Sequence, residues 1–237
     1  MIPSERTDTM KEKRYYIAYG SNLNIPQMRM RCPSARIIGT SEITDYQLLF
    51  KGSKSGSYLT IEPKEGGRVP VAAWTVTEED EAALDRYEGF PAFYYKKELE
   101  LPIKGIRSGK VRRRKVFVYI MHEDRPLGLP SKFYLETCLR GYQSFGFDQK
   151  FLEQAYAELE QELPGGWRVG DACYMITNRK KRCTGNYTVT GFDGAYFFLR
   201  NGRGSLYRAS ERRMFRSKEE AVASLIENAG GERDERN

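Results

Sequence analysis

The chain has 237 residues, 40% of them hydrophobic and 13% aromatic, which gives it material for a real core and excludes a disordered chain. No apolar run approaches the roughly 20 residues of a membrane span, and Met1 to Arg14 lacks the hydrophobic stretch of a secretory leader, so a cytoplasmic protein without membrane contact is expected. The net charge of +7 is concentrated late, with 14 Lys/Arg against 9 Asp/Glu from Pro164 to Asn237, which makes nucleic acid a secondary partner to weigh.

Residues 1–13 are polar and are expected to be a disordered N-terminus. A β-prone strand, Tyr15-Tyr16-Ile17-Ala18, then breaks into Tyr19-Gly20-Ser21-Asn22-Leu23. Gly20 is expected where the backbone turns with positive φ. Asn24 reads as a helix N-cap, Pro26 fits the first turn, and Pro33 stops the helix after Cys32. A strand, a tight turn and a helix start therefore meet, and their backbone N–H groups can hold an anion or a carbonyl oxygen. No Gly-Lys-Ser/Thr follows, so this is not a phosphate loop.

Ala35 to Thr40 and Gln47 to Phe50 read as two strands separated by polar Ser41 to Asp45. A Lys51 to Ser57 loop leads into a strand from Tyr58 to Pro63. The turn residues Glu65-Gly66-Gly67-Arg68 then predict a hairpin returning through Val69 to Val76.

Thr77-Glu78-Glu79-Asp80 has the spacing of a capping box, and Ala83, Leu84 and Tyr87 give the helix one buried stripe up to Gly89 and Pro91. Glu81 and Asp85 read as solvated. Glu88 is the odd residue, because the carbonyl end of a helix and an apolar flank both disfavour its charge. Either it is an acid/base held near working pH, or it turns to solvent or pairs with Arg86 or a lysine; the pattern leaves both open.

Phe93 to Leu101 and Val116 to Met121 are further strands, joined by Pro102 to Lys115, whose basic run from Lys110 reads as a solvated hairpin end. Ser131 caps a helix running to Gly146. Asp148 caps another with Phe151, Leu152, Ala155, Tyr156 and Leu159 on one stripe, closed by Pro164-Gly165-Gly166. Beyond it lie short strands at Ala172 to Thr177, Tyr187 to Phe192, Ala195 to Arg200 and Leu206 to Ala209, with hairpin turns at Asp193-Gly194 and Asn201-Gly202. They predict a small SH3-like barrel, followed by a helix from Ser217 through Ile226 and a disordered tail. The basic Arg179 to Arg182 with Tyr187, Tyr196 and Phe198 suits nucleic acid, but strand spacing favours a core role for those aromatics.

Cys32, Cys138, Cys173 and Cys183 form no Cys-x-x-Cys pair and His122 is the single histidine, so no metal site is expected and the cysteines read as structural thiols.

Tyr19-Gly20-Ser21-Asn22-Leu23 after an N-terminal strand, with Arg31-Cys32-Pro33-Ser34-Ala35, Tyr46 to Phe50, and Leu84-Asp85-Arg86-Tyr87-Glu88-Gly89 before Tyr94-Tyr95, resembles the γ-glutamylcyclotransferase-like family from about Arg14 to Glu162. The resemblance implies an α+β fold, a mixed barrel with flanking helices over 14–163, beside the small β domain of 164–230 and a tail of 231–237. It implies a cofactor-independent enzyme that cyclises a γ-glutamyl amine or peptide to 5-oxoproline, with Glu88 as acid/base. Tyr19, Gly20, Ser21, Asn22 and Leu23 would bind substrate, and Gly56, Ser57, Tyr58, Tyr119 and Tyr134 join them by similarity. Tyr119 reads equally well as a core aromatic. Two rivals stand: a non-catalytic relative that keeps the pocket, and nucleic-acid binding through the C-terminal barrel.

Overall fold

The computed structural model describes residues 13–53, 56–160, 162–177 and 182–234. Its first sheet is a closed five-stranded barrel built from β1 (Arg14–Ala18), β2 (Arg36–Ser53), β3 (Gly56–Val76), β4 (Tyr94–Gly105) and β5 (Val111–Met121), in the order β1-β3-β2-β4-β5. β1 runs antiparallel to β3, pairing Tyr16 with Trp74, and parallel to β5, pairing Tyr16 with Phe117. The apolar run of β1 is therefore covered by strands on both edges, and Ile17, Ala18, Ala72, Ala73, Phe117 and Val118 are buried together.

Helix α1 (Ile25–Arg31) follows β1 through a 3-10 turn at Ser21–Leu23, with the Asn24 side chain accepting from Gln27 N as the expected cap. Helix α2 (Glu78–Glu88) starts on the expected Thr77/Asp80 capping box and ends on Gly89, which adopts the left-handed conformation at φ 66°. Helix α3 (Lys132–Phe145) starts after Ser131, whose hydroxyl accepts from Tyr134 N, and α4 (Lys150–Ala157) follows.

Two compact units divide these elements. The first takes Thr60–His122, Glu136–Gln149 and the described residues up to Gln47; the second takes Leu48–Leu59, Glu123–Leu135 and the described residues from Lys150 onward. In the second unit β6 (Glu162–Leu163) pairs with β7 (Trp167–Arg168). β8 (Ala172–Ile176), β9 (Cys183–Phe192), β10 (Phe197–Asn201), β11 (Leu206–Ala209) and β12 (Met214–Phe215) form a five-stranded sheet in the order β11-β10-β9-β8-β12. Trp167, Val189, Phe197, Leu199 and Met214 are buried in one cluster on it. Helix α5 (Lys218–Asp234) closes the chain, starting on a Ser217/Glu220 capping box.

Several predicted boundaries are corrected. The break expected at Ser41 to Asp45 is absent, and the hairpin expected at Glu65 to Arg68 is instead the middle of β3. Asp45 and Gly66 both take positive φ, Gly66 N donates to Asp45 Oδ1 at 3.0 Å, and a Cβ on Gly67 would lie 2.4 Å from the Tyr46 carbonyl oxygen. Those residues bend two long strands past each other at close approach rather than ending them. The expected Lys51 to Ser57 loop shrinks to the ends of β2 and β3, with residues 54 and 55 outside the described residues. Arg112 to Lys115 lie within β5, paired to β4, and the hairpin end is confined to 106–110. Helix α5 continues past Ile226 to Asp234. No helix among the described residues is long and apolar enough to cross a membrane.

Candidate functional site

The corner after β1 is set by backbone bonds: Leu23 N donates to Gly20 O at 2.9 Å and Asn24 N to Ser21 O at 3.0 Å. Gly20 itself has φ −116° and ψ −136°, so the positive φ expected there is not used. A different glycine makes the corner fit. A Cβ on Gly141 of α3 would lie 2.6 Å from Leu23 Cβ and 2.9 Å from the Leu23 carbonyl carbon, so only a bare Cα lets α3 back this turn. Leu23 is fully buried as a result.

Asn22 and Glu88, 66 positions apart, meet directly: Asn22 Nδ2 donates to Glu88 Oε1 at 2.8 Å and to Tyr16 Oη at 2.8 Å. Asn22 Oδ1 accepts from Arg31 Nη1. The Arg31 guanidinium stacks 3.3 Å from the centre of the Tyr87 ring, and the Tyr87 and Ser21 hydroxyls are 3.2 Å apart. One asparagine, itself buried, thus ties together a strand tyrosine, a helix-end arginine and the last residue of α2.

The electrostatics follow from that packing. Burial pushes the Glu88 carboxyl up to about 7, while the nearby Arg31 charge and the Asn22 hydrogen bond pull it back toward the ordinary range. Burial, and secondarily the Glu88 charge, also raises the Tyr16 and Tyr19 phenols well above their usual value. A carboxyl that is about half ionised near neutrality can both take and give a proton.

Tyr19 is buried, and its hydroxyl donates to the Tyr119 backbone oxygen at 2.7 Å. Tyr119 is also buried, and its own hydroxyl donates to Asp85 Oδ1 at 2.6 Å. Asp85 in turn meets Lys96 Nζ at 2.8 Å, and the same ammonium reaches Glu81 Oε1 at 2.5 Å, where Arg14 Nη1 arrives at 2.7 Å. Glu81 and Asp85 are therefore a paired network rather than solvated surface, and Tyr87, expected in the buried stripe, is 47% exposed. The helix turns its acids to the barrel because Arg14 and Lys96 on β1 and β4 neutralise them.

Tyr19, Gly20, Ser21, Asn22, Leu23, Tyr119 and Glu88 all belong to the first unit. Gly56, Ser57, Tyr58 and Tyr134 belong to the second. There the Tyr58 and Tyr134 rings meet edge to face at 5.1 Å, Tyr134 Oη accepts from Leu59 N at 3.0 Å, and Gly56 takes φ 148°. Arg31, Tyr16 and Gly141 were not singled out from sequence. Arg31 enters the sequence reading only as the first residue of the Arg31-Cys32-Pro33-Ser34-Ala35 segment, in the last turn of α1 beside the Cys32-Pro33 stop.

No group of three or more His, Cys, Asp or Glu that could hold a metal occurs among the described residues. His122 Nε2 lies 2.8 Å from Pro91 O. Burial pushes the Cys32 thiol up to about 12 and the Cys173 thiol to about 11, which keeps both protonated near neutrality. Of the basic run near β9, residues 178–181 lie outside the described residues.

A family model described as gamma-glutamyl cyclotransferase, AIG2-like, matches residues 16–136. The chain is 28% identical to a Mus musculus gamma-glutamylcyclotransferase over 158 residues, 63% of this chain and 81% of the relative. It is 25% identical to a Homo sapiens gamma-glutamylcyclotransferase over 155 residues, 62% and 79% of the two. A solved gamma-glutamyl cyclotransferase structure shares the fold at a TM-score of 0.54 with 23% identity, over 65% of this chain and 92% of that one.

Proposed function

Since the chain belongs to the gamma-glutamyl cyclotransferase, AIG2-like family, we propose that it cyclises the γ-glutamyl group of a γ-glutamyl amine or peptide to 5-oxoproline and frees the amine. The observation that carries this reading is the 2.8 Å hydrogen bond from Asn22 to Glu88, which puts a raised carboxyl on the turn after β1.

The substrate's own α-amine attacks its γ-carbonyl carbon, so nucleophile and electrophile share one molecule. Holding the glutamyl chain folded removes most of the entropic barrier, worth several kcal/mol. Glu88 takes a proton from the α-ammonium to create the nucleophile. It then returns a proton to the departing nitrogen, which would otherwise leave as an amide anion. The backbone N–H groups around Gly20, Ser21 and Asn22 receive either the oxyanion or the substrate carboxylate. The chemistry calls for no cofactor. In this reading residues 14–163 carry the reaction, Tyr119 helps bind substrate, and the SH3-like 164–230 region has no catalytic part.

The test is a panel of γ-glutamyl amino acids, polyamines and peptides incubated with purified protein, with 5-oxoproline as readout. At least one should turn over, and Glu88→Gln should lower that turnover by about 10²- to 10⁴-fold while leaving the fold intact. Near-normal 5-oxoproline formation by Glu88→Gln would remove Glu88 from the mechanism.

A further inference from the structure

We propose that the protein has a second ligand site: a basic cleft flanked by the start of β1 and by β5, which takes a small oligophosphate anion. The cleft measures about 610 Å³, within the size range of small-molecule sites, and neither the Ser21–Leu23 turn nor Glu88 lines it. Its walls are formed where β1 and β5 run parallel and side by side, just outside the Tyr16 and Phe117 pair.

The charge in this cleft is lopsided. Lys13, Arg14, Arg113, Arg114 and Lys115 line it against the single carboxylate of Glu98. Two of the five cations are already committed, Arg14 to Glu81 and Glu98 and Arg113 to Glu100. Lys13, Arg114 and Lys115 meet no carboxylate among the described residues. Arg114 is instead held 5.0 Å over the Tyr15 ring, which orients its guanidinium without neutralising it.

Lys13, Arg114 and Lys115 border one concavity with no carboxylate at ion-pair distance among the described residues, so like charges repel there, and the pairing of β5 with β4 holds the backbones of Arg114 and Lys115 in place. A compact ligand carrying three or four negative charges relieves that repulsion in a single binding event. Phosphate oxygens suit both the planar guanidinium and the two ammonium groups. The volume of about 610 Å³ suits a short phosphate chain, and the partly buried Tyr15 ring adds an aromatic wall on which a nucleobase can rest. The shared chemistry is the oligophosphate, whether free or carried on a nucleoside.

Isothermal titration of the full chain with inorganic tripolyphosphate and, separately, with ATP tests this. Saturable one-to-one binding of tripolyphosphate is expected, weakening as sodium chloride rises from about 50 to about 200 mM. The pair Lys13→Glu and Lys115→Glu, both on exposed side chains, should weaken it at least about tenfold. Equal affinity for ATP assigns recognition to the phosphates alone, and tighter ATP binding adds the base; both support the site. Failure of tripolyphosphate to bind, affinity unchanged in the charge-reversed pair, or binding of single-stranded DNA without tripolyphosphate binding would overturn it. Should the reversed pair not fold, Lys115→Gln alone is expected to weaken binding severalfold, and an unchanged affinity there overturns the proposal equally.

Discussion

Glu88→Gln should separate stability from activity in opposite directions. In the folded protein the Glu88 carboxyl sits at about 7, against an ordinary value of 4.5. Between those two pH values the folded chain keeps the proton and the unfolded chain releases it, so the unfolded state binds fewer protons and stability falls as pH rises. The slope is about 1.4 kcal/mol per pH unit, so by pH 8 the half-buried acid costs at most about 3 kcal/mol. Glutamine keeps the shape and can still accept from Asn22, but it has no proton to lose. Urea unfolding at pH 4, 6 and 8, followed by fluorescence of the buried Trp74 in the same unit, should therefore show variant and wild type level at pH 4. The variant should pull ahead by up to about 3 kcal/mol at pH 8, while 5-oxoproline formation falls about 10²- to 10⁴-fold. A stability difference that stays flat across this range would refute the raised acid, whatever happened to turnover.

Arg31→Met removes the charge that holds Glu88 down, so the rising limb of kcat/KM against pH should move to higher pH and activity at pH 7 should drop severalfold; an unmoved midpoint would show that Arg31 does not act on Glu88. Gly89→Ala places a Cβ at φ 66° and 3.2 Å from Phe93 Cβ, which should cost about 1 to 2 kcal/mol of stability by denaturant midpoint. Gly141→Ala would gain up to about 1 kcal/mol in an unobstructed helix. Here its Cβ meets the Leu23 backbone, so a loss of about 1 to 3 kcal/mol and a higher KM are expected, and a stabilised variant with unchanged KM would show that α3 does not brace the turn.

The caps and ends of α1 and α2 were legible because their signals are local: Asn24 before Pro26, Thr77 three residues before Asp80, and Gly89 after Glu88. The turn after β1 was legible as a corner, and Glu88 as an acid in an unfavourable place, but not their meeting, which joins residues far apart in the chain through one amide side chain. The long strands β2 and β3 are not legible in the sequence because residues 62–68 are mostly exposed and polar on both faces, so no alternation marks them, and Gly66-Gly67 mimics a turn while serving as a bend. Glu81 and Asp85 looked solvated because their partners, Arg14 and Lys96, come from strands that helical periodicity does not register. Gly141 had no sequence signal beyond being a glycine inside a helix pattern.

The acid/base role proposed for Glu88 requires it to be protonated part of the time, and the arginine and amide around it bear on that balance. Burial alone would carry the carboxyl so high that it stayed neutral near pH 7 and could not draw a proton from an ammonium group. Full pairing with Arg31 would drop it to the ordinary range, where it would hold no proton to give. Arg31 does not bond the carboxylate; its hydrogen bond goes to Asn22 and its face lies on Tyr87, so its charge reaches Glu88 only through space and one intervening amide. That indirect contact lowers the acid without neutralising it, and the balance of the two effects leaves Glu88 at about 7, where acid and base are both populated.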